Sequence, residues 1–97
     1  MLKLEQANSK LSVIGALDRF NLGDKSFFVF APVEGDIELD LAKSDTIDTA
    51  GLAWILKMVS IYQQNKKQVS ISNAPSQLIA LAELSNVLAL LPIKKAV

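Results

Sequence analysis

An α/β (α+β) fold, a mixed β-sheet with helices against it in a single domain, follows from three features of this 97-residue sequence. Three short segments, "LSVIGAL" (11–17), "DIELDL" (36–41) and "QVSISN" (68–73), carry apolar residues with the period or the β-branching of a strand that has one dry face. Between the last two lies Thr49 to about Asn65, long enough for a crossover helix, and a strand, helix, strand unit implies parallel neighbours. At the amino-terminal end, Leu2–Gln6 and Leu11–Leu17 are separated only by the turn-like "ANSK", which predicts an antiparallel hairpin and therefore a sheet of mixed sense. A chain of this length supports one small core and no second domain.

The remaining elements follow in order. "NLGDKSFFVFAP" (21–32) has a strand-like centre in Phe27–Phe30, yet its place between hairpin and next strand suits a crossover helix, so propensity and topology disagree. "AKSDTI" (42–47) reads as a short loop into the long helix. After the last strand, Asn73 is a candidate cap and Pro75 fits a first helical turn, with Leu78, Leu81, Ala82 and Ser85 on one face of a second helix. The closing "VLALLPI" reads either as a last short strand or as a final helical turn.

Composition removes most chemistry. Ten Lys and Arg balance ten Asp and Glu, so no basic field exists to hold nucleic acid. Cysteine and histidine are absent, which removes disulfides, imidazole or thiolate metal ligands, thiol nucleophiles and every triad that needs an imidazole base. The acids are scattered singly, and no spacing marks a pair set for general acid and base work. No catalytic residue, cofactor site or metal site is expected. The first ten residues alternate polar and apolar rather than forming a signal peptide, and the most apolar run (78–93) is broken by Glu83, Ser85, Asn86 and Pro92, so neither secretion nor direct membrane insertion is predicted. The expected location is intracellular.

What remains is "DTIDTAGLAWILK" (45–57). Asp48 or Thr49 can cap the long helix by accepting from its free N–H groups, worth about 1 kcal/mol. Gly51 in the first turn costs roughly 1 kcal/mol relative to Ala, which implies that something approaches the backbone closely there. One reading is a capped helix with a tolerated glycine. The other makes the hydroxyl a phosphate acceptor or docking contact, at the positive end of the helix dipole though beside the Asp48 charge. On the helical wheel Leu52, Ile55, Leu56 and Val59 form a core stripe, and Ala50, Trp54, Met58 and Ile61 cluster on the opposite side. That second stripe is either covered by a neighbouring element or exposed as a protein-binding surface, for which Trp and Met are enriched.

"GALD" closing the second strand, "IELDL" as the third, "IDTAGLAWIL" opening the long helix and "VSISNAP" before the next resemble the STAS domain, the fold of anti-sigma-factor antagonists and of sulfate-transporter tails. The resemblance spans nearly the whole chain and implies a STAS fold with helices packed mainly on one face of the sheet. Its most specific part is Asp48-Thr49-Ala50-Gly51-Leu52, similar to the family pattern of Asp, Ser or Thr, any residue, Gly, Leu. In that pattern the hydroxyl residue is the regulatory phosphorylation or partner-contact position, which implies Thr49. The family's order of elements also implies a helix at about Leu22–Ala31. Within the family, Thr at 49 and the ending "LIALAELSNVLALLP" are most similar to the small cytoplasmic STAS subunits of phospholipid-transport ABC complexes, which maintain outer-membrane lipid asymmetry. This implies a binding protein without chemistry of its own, docked on the ABC ATPase subunit through the start of the long helix and held at the inner membrane by its partner. The alternative is an anti-sigma-factor antagonist, phosphorylated at Thr49 by its serine kinase partner.

Overall fold

The computed structural model describes residues 2–7, 9–23, 25–28, 30, 31, 33 and 35–94. Four strands, β1 (Lys3–Ala7), β2 (Lys10–Leu17), β3 (Ile37–Ile47) and β4 (Val69–Ser72), form one sheet in sequence order. The hairpin β1–β2 is antiparallel, and β2–β3 and β3–β4 are parallel. Helix α1 (Thr49–Gln64) makes the β3–β4 crossover, and α2 (Ser76–Leu84) follows β4. Alternation explains which face is dry. Leu11, Val13 and Leu17 on β2, Ile37, Leu39 and Leu41 on β3, and Val69 and Ile71 on β4 are all buried with Leu52, Ile55 and Val59 of α1 and Leu78 and Ala82 of α2. The other face is polar. There Asp40 is bonded by Asn73 and paired with Lys10, and Glu38 is bonded by Ser72 and paired with Lys94.

Three boundaries differ from the sequence expectation. β3 does not stop at residue 41 but continues through "AKSDTI" to Ile47. Its register against β2 slips twice, from Ser12↔Asp40 to Ile14↔Lys43 and then to Ala16↔Thr46, so β3 takes up one extra residue at each slip. Inward positions there fall every third residue, at Leu41, Ser44 and Ile47, and the period of two that marks a strand disappears. Second, the described residues of the crossover at about Leu22–Ala31 form no α-helix, and those of Phe27–Phe30 no strand. Its regular structure is a 3-10 turn at Lys25–Phe28; residues 24 and 29 of the expected helix lie outside the described residues. Two long-range bonds tie this segment to α1. Trp54 Nε1 donates to the Phe27 carbonyl (2.7 Å) and the Tyr62 hydroxyl to the Ala31 carbonyl (2.6 Å), and these acceptors are then held by side chains of α1. Third, α2 begins at Ser76 with Pro75 as its cap residue and no side-chain cap bond. Asn73 instead turns the chain with a left-handed φ of 57° and gives its amide to Asp40 (2.9 Å).

The closing segment is both of the things its sequence allows. Leu88–Leu90 is a 3-10 turn, and Ile93 then forms a parallel bridge to Ile71, with Ile71 N–H donating to the Pro92 carbonyl and Lys94 N–H to the Ile71 carbonyl. The outer edge of β4 is thereby occupied. Among the described residues no helix is long and apolar enough to cross a membrane.

Candidate functional site

The parallel pairs Ala16↔Thr46 and Leu17↔Ile47 bring the carboxyl ends of β2 and β3 together, so the turn after β2 and the first turn of α1 share one rim of the sheet. Asp48 joins them. Its N–H donates to the Leu17 carbonyl (3.2 Å), Oδ1 caps α1 by accepting from Gly51 N–H (3.0 Å), and Oδ2 accepts from Arg19 N–H (3.1 Å). Partial burial pushes its carboxyl up, but the N–H groups of Arg19, Gly51 and Ala50 and the Arg19 charge outweigh that and hold it below the ordinary 3.8. The cap is therefore Asp48, and Thr49 is left free to do something else.

Gly51 has a structural explanation. A Cβ built on it falls on the backbone carbonyl of Leu17, so only glycine lets α1 cross the end of β2 this closely. The close approach inferred from its position comes from the protein's own strand. Thr49, by contrast, is exposed, and its hydroxyl has no hydrogen-bond partner among the described residues.

The other expected contact residues divide. Ala50 is half-buried beside the rim. Trp54 and Met58 are wholly buried, which corrects the expectation of an exposed stripe. The crossover between β2 and β3 lies over Trp54 and Tyr62: the Phe30 ring is 5.6 Å from that of Trp54 and 6.2 Å from that of Tyr62. Ile61 is half-buried at the far end of α1, lining a cleft of about 280 Å³ with Phe30, Val33, Tyr62, Asn65 and Lys67. It lies about 18 Å along the axis from Thr49, at the other end of the helix. The face of α1 that is wet runs instead through Thr49, Ala53, Lys57, Ser60 and Gln64.

One feature of the rim escaped sequence reasoning. Asp18 Oδ1 accepts from the N–H groups of Phe20 (3.1 Å) and Asn21 (3.0 Å) and from the Asn21 amide (2.8 Å), a turn that leaves Phe20 80% exposed. The Arg19 guanidinium stands over its ring at 4.9 Å. An aromatic residue set between Arg and Asn immediately after the Asp that closes a strand is the signal that was available. Gln77, at the start of α2, accepts from Ile47 N–H (3.0 Å) and fixes the end of β3 from the other side.

Glu38, Asp40 and Asp48 all have lowered carboxyl pKa values. For Glu38 the Ser72 hydroxyl is the main cause, with Lys94 and Lys10 adding to it; for Asp40 it is the Asn73 amide, then Ala42 N–H and Lys10. A carboxyl whose folded pKa is below its unfolded value contributes stability that is complete above the ordinary values of 3.8 and 4.5 and is lost as pH falls through the lower folded ones. Urea midpoints are expected to be level from neutrality to about pH 5 and to decline below about pH 4. Asp48→Asn keeps an oxygen acceptor for the cap, and its decline is expected to be shallower than that of the wild type.

The family described as "Mlab, STAS domain" matches residues 1–92. No curated protein sequence matches the chain. Among solved structures it is similar to the anti-sigma factor antagonist SpoIIAA in its unphosphorylated form, with a TM-score of 0.62 at 14% identity, covering all of this chain and 90% of that one. At that identity the similarity concerns the fold.

Proposed function

Because the chain belongs to the Mlab-type STAS-domain family, whose members are binding and regulatory modules, we propose that it is a non-catalytic subunit that binds and supports the ATPase of an intermembrane phospholipid-transport ABC system. On this reading it serves outer-membrane lipid asymmetry from the cytoplasmic side, held at the inner membrane by that partner. The observation that carries the proposal is Thr49: a hydroxyl on the first residue of α1, exposed and unbonded within the described chain, on a rim whose neighbouring turn presents Phe20. The contact surface is then Thr49, Ala50 and the Arg19–Phe20 turn, with Asp48 and Gly51 placing it. An exposed aromatic gives such a surface its apolar anchor, and the neutral hydroxyl allows close approach without a desolvated charge.

Thr49→Glu and Phe20→Ala are both expected to fold with near wild-type melting temperatures, since both side chains are exposed. Each is expected to weaken ATPase binding by roughly tenfold or more, measured by calorimetry on the purified pair. Normal binding by both variants sinks the assignment of this rim.

The second reading is an anti-sigma-factor antagonist whose kinase partner phosphorylates Thr49. The fold similarity to SpoIIAA favours it, as does the accessible hydroxyl. Affinity capture from the native cell separates the two, an ATPase with its permease supporting the first and a serine kinase the second. Intact mass gives a further check, because the antagonist alone requires a substantial population carrying phosphate at Thr49.

A further inference from the structure

The sheet has two edges, and they are treated differently. That of β4 is covered by the Pro92–Lys94 segment. β1 pairs only with β2 among the described residues, and Lys3, Glu5, Gln6 and Ala7 are exposed with Leu4 half-buried. An open edge offers unpaired N–H and C=O groups to another strand, and single charges ordinarily guard against that. Here the two charges have opposite signs and stand two residues apart, on the same face, with neither paired within the described chain.

The register they permit can be enumerated. Ala7 lies opposite Lys10 with only two residues between them in the chain, so this closing pair, and with it Glu5 and Lys3, exchange backbone bonds with β2. Leu2, Leu4 and Gln6 then direct their N–H and C=O groups outward. An antiparallel copy of β1 can bond to them only where outward residues face outward residues. Centred on Lys3 the pairing opposes two lysines, and centred on Glu5 two glutamates, both unfavourable; centred on Gln6 it sets Glu5 against Ala7 and forms no charge pair, and centred on Leu2 the overlap is shorter still. Centred on Leu4 it sets Leu4 against Leu4, Leu2 against Gln6, and Lys3 against Glu5 twice over. The Lys3–Glu5 pairs fall at non-hydrogen-bonded positions, where Cα atoms are about 4.5 Å apart and side chains are closest. The half-buried Leu4 gains its own copy as a neighbour.

We propose that β1 is a self-complementary edge, on which a second copy of this chain docks antiparallel about Leu4 to make a continuous sheet through both protomers. Its centre, Leu4, pairs with Val13, four residues before the end of β2 at the Thr49 rim, and the proposal does not depend on which partner binds at that rim. A five-residue edge gives a small contact, so the association is concentration-dependent and transient.

The test is sedimentation equilibrium on the purified full chain over a wide concentration range. Wild type is expected to move from monomer mass toward twice that mass. Lys3→Glu and Glu5→Lys, each at an exposed position and each folded by circular dichroism, are expected to raise the dissociation constant about tenfold or more. The double variant Lys3→Glu with Glu5→Lys restores opposite charges in the same register, and dimerisation is expected to return. A wild type that stays monomeric throughout overturns the proposal. So does a dimer indifferent to the single reversals, which would rest on another surface such as exposed Leu84 and Leu90, or a double variant that remains as weak as the singles.

Discussion

Trp54→Asp is expected to abolish cooperative folding. The side chain is fully buried between the sheet and the crossover, and its indole N–H holds the Phe27 carbonyl. Removing a buried Trp side chain costs about 3 to 5 kcal/mol, and burying an unpaired carboxylate costs several more, against a total stability of roughly 5 to 15 kcal/mol for a domain. In a chain of 97 residues the balance falls at the low end of that range. Trp54→Phe keeps a ring against Phe30 but loses the bond to Phe27 and leaves a small cavity, so it should fold with stability reduced by about 2 to 4 kcal/mol. Thermal melts by circular dichroism distinguish the two outcomes. A well-folded Trp54→Asp variant would mean that the indole sits outside the core, and the packing described above would be wrong.

Gly51→Ala is the second large effect, and its direction opposes helix propensity. Alanine should favour α1 by roughly 1 kcal/mol in an open helix. Here its Cβ falls on the Leu17 carbonyl, a backbone atom at the end of a buried strand, which cannot swing aside as a flexible side chain would. Relief requires moving the first turn of α1 away from β2, stretching the Asp48 bonds to Leu17 and Arg19. A net loss of about 1 to 3 kcal/mol is expected, lowering the melting temperature by roughly 4 to 20 °C. Because that turn also carries Thr49, partner binding should fall with it, whereas an equally destabilising change remote from the rim should leave binding by the folded fraction intact. An unchanged melting temperature would show that α1 does not cross β2 this closely.

The sequence was legible where one face of an element is dry and the other wet. β2, β4, α1 and α2 obey that condition, while β1, exposed but for half-buried Leu4, was readable from the turn that joins it to β2; their positions and the parallel crossover through α1 agree with the structure. The end of β3 was illegible because two bulges change the spacing of inward residues from two to three, so "AKSDTI" reads as loop while it is paired as strand. The crossover misled both propensity and family likeness, since its carbonyls bond to side chains 27 and 31 residues further along. No local pattern encodes such partners. On the wheel of α1 the buried residues Gly51, Leu52, Trp54, Ile55, Met58, Val59 and Tyr62 fill one continuous arc, and taking Leu52, Ile55, Leu56 and Val59 alone as the core stripe set Trp54 and Met58 on an opposite side. Trp54 and Met58 were therefore misplaced, while the tight approach at Gly51 was readable from residue type and position, and the cap was narrowed to Asp48 or Thr49, of which the structure uses Asp48. Phe20 was missed because a lone aromatic in a turn has no period.

The bonds that tie the crossover to α1 terminate on the carbonyl oxygens of Phe27 and Ala31, a group that every amino acid supplies. The hold is thus written into Trp54, Tyr62 and the Phe30 ring; at Phe27, which also packs against the core, the side chain adds to it, and at exposed Ala31 it does not. Phe28, which is 42% exposed, belongs to the outward layer of the same stretch. Substitutions there change what the molecule displays without touching what fastens it, so this stretch can diversify its outer chemistry over evolutionary time at little cost to the scaffold beneath.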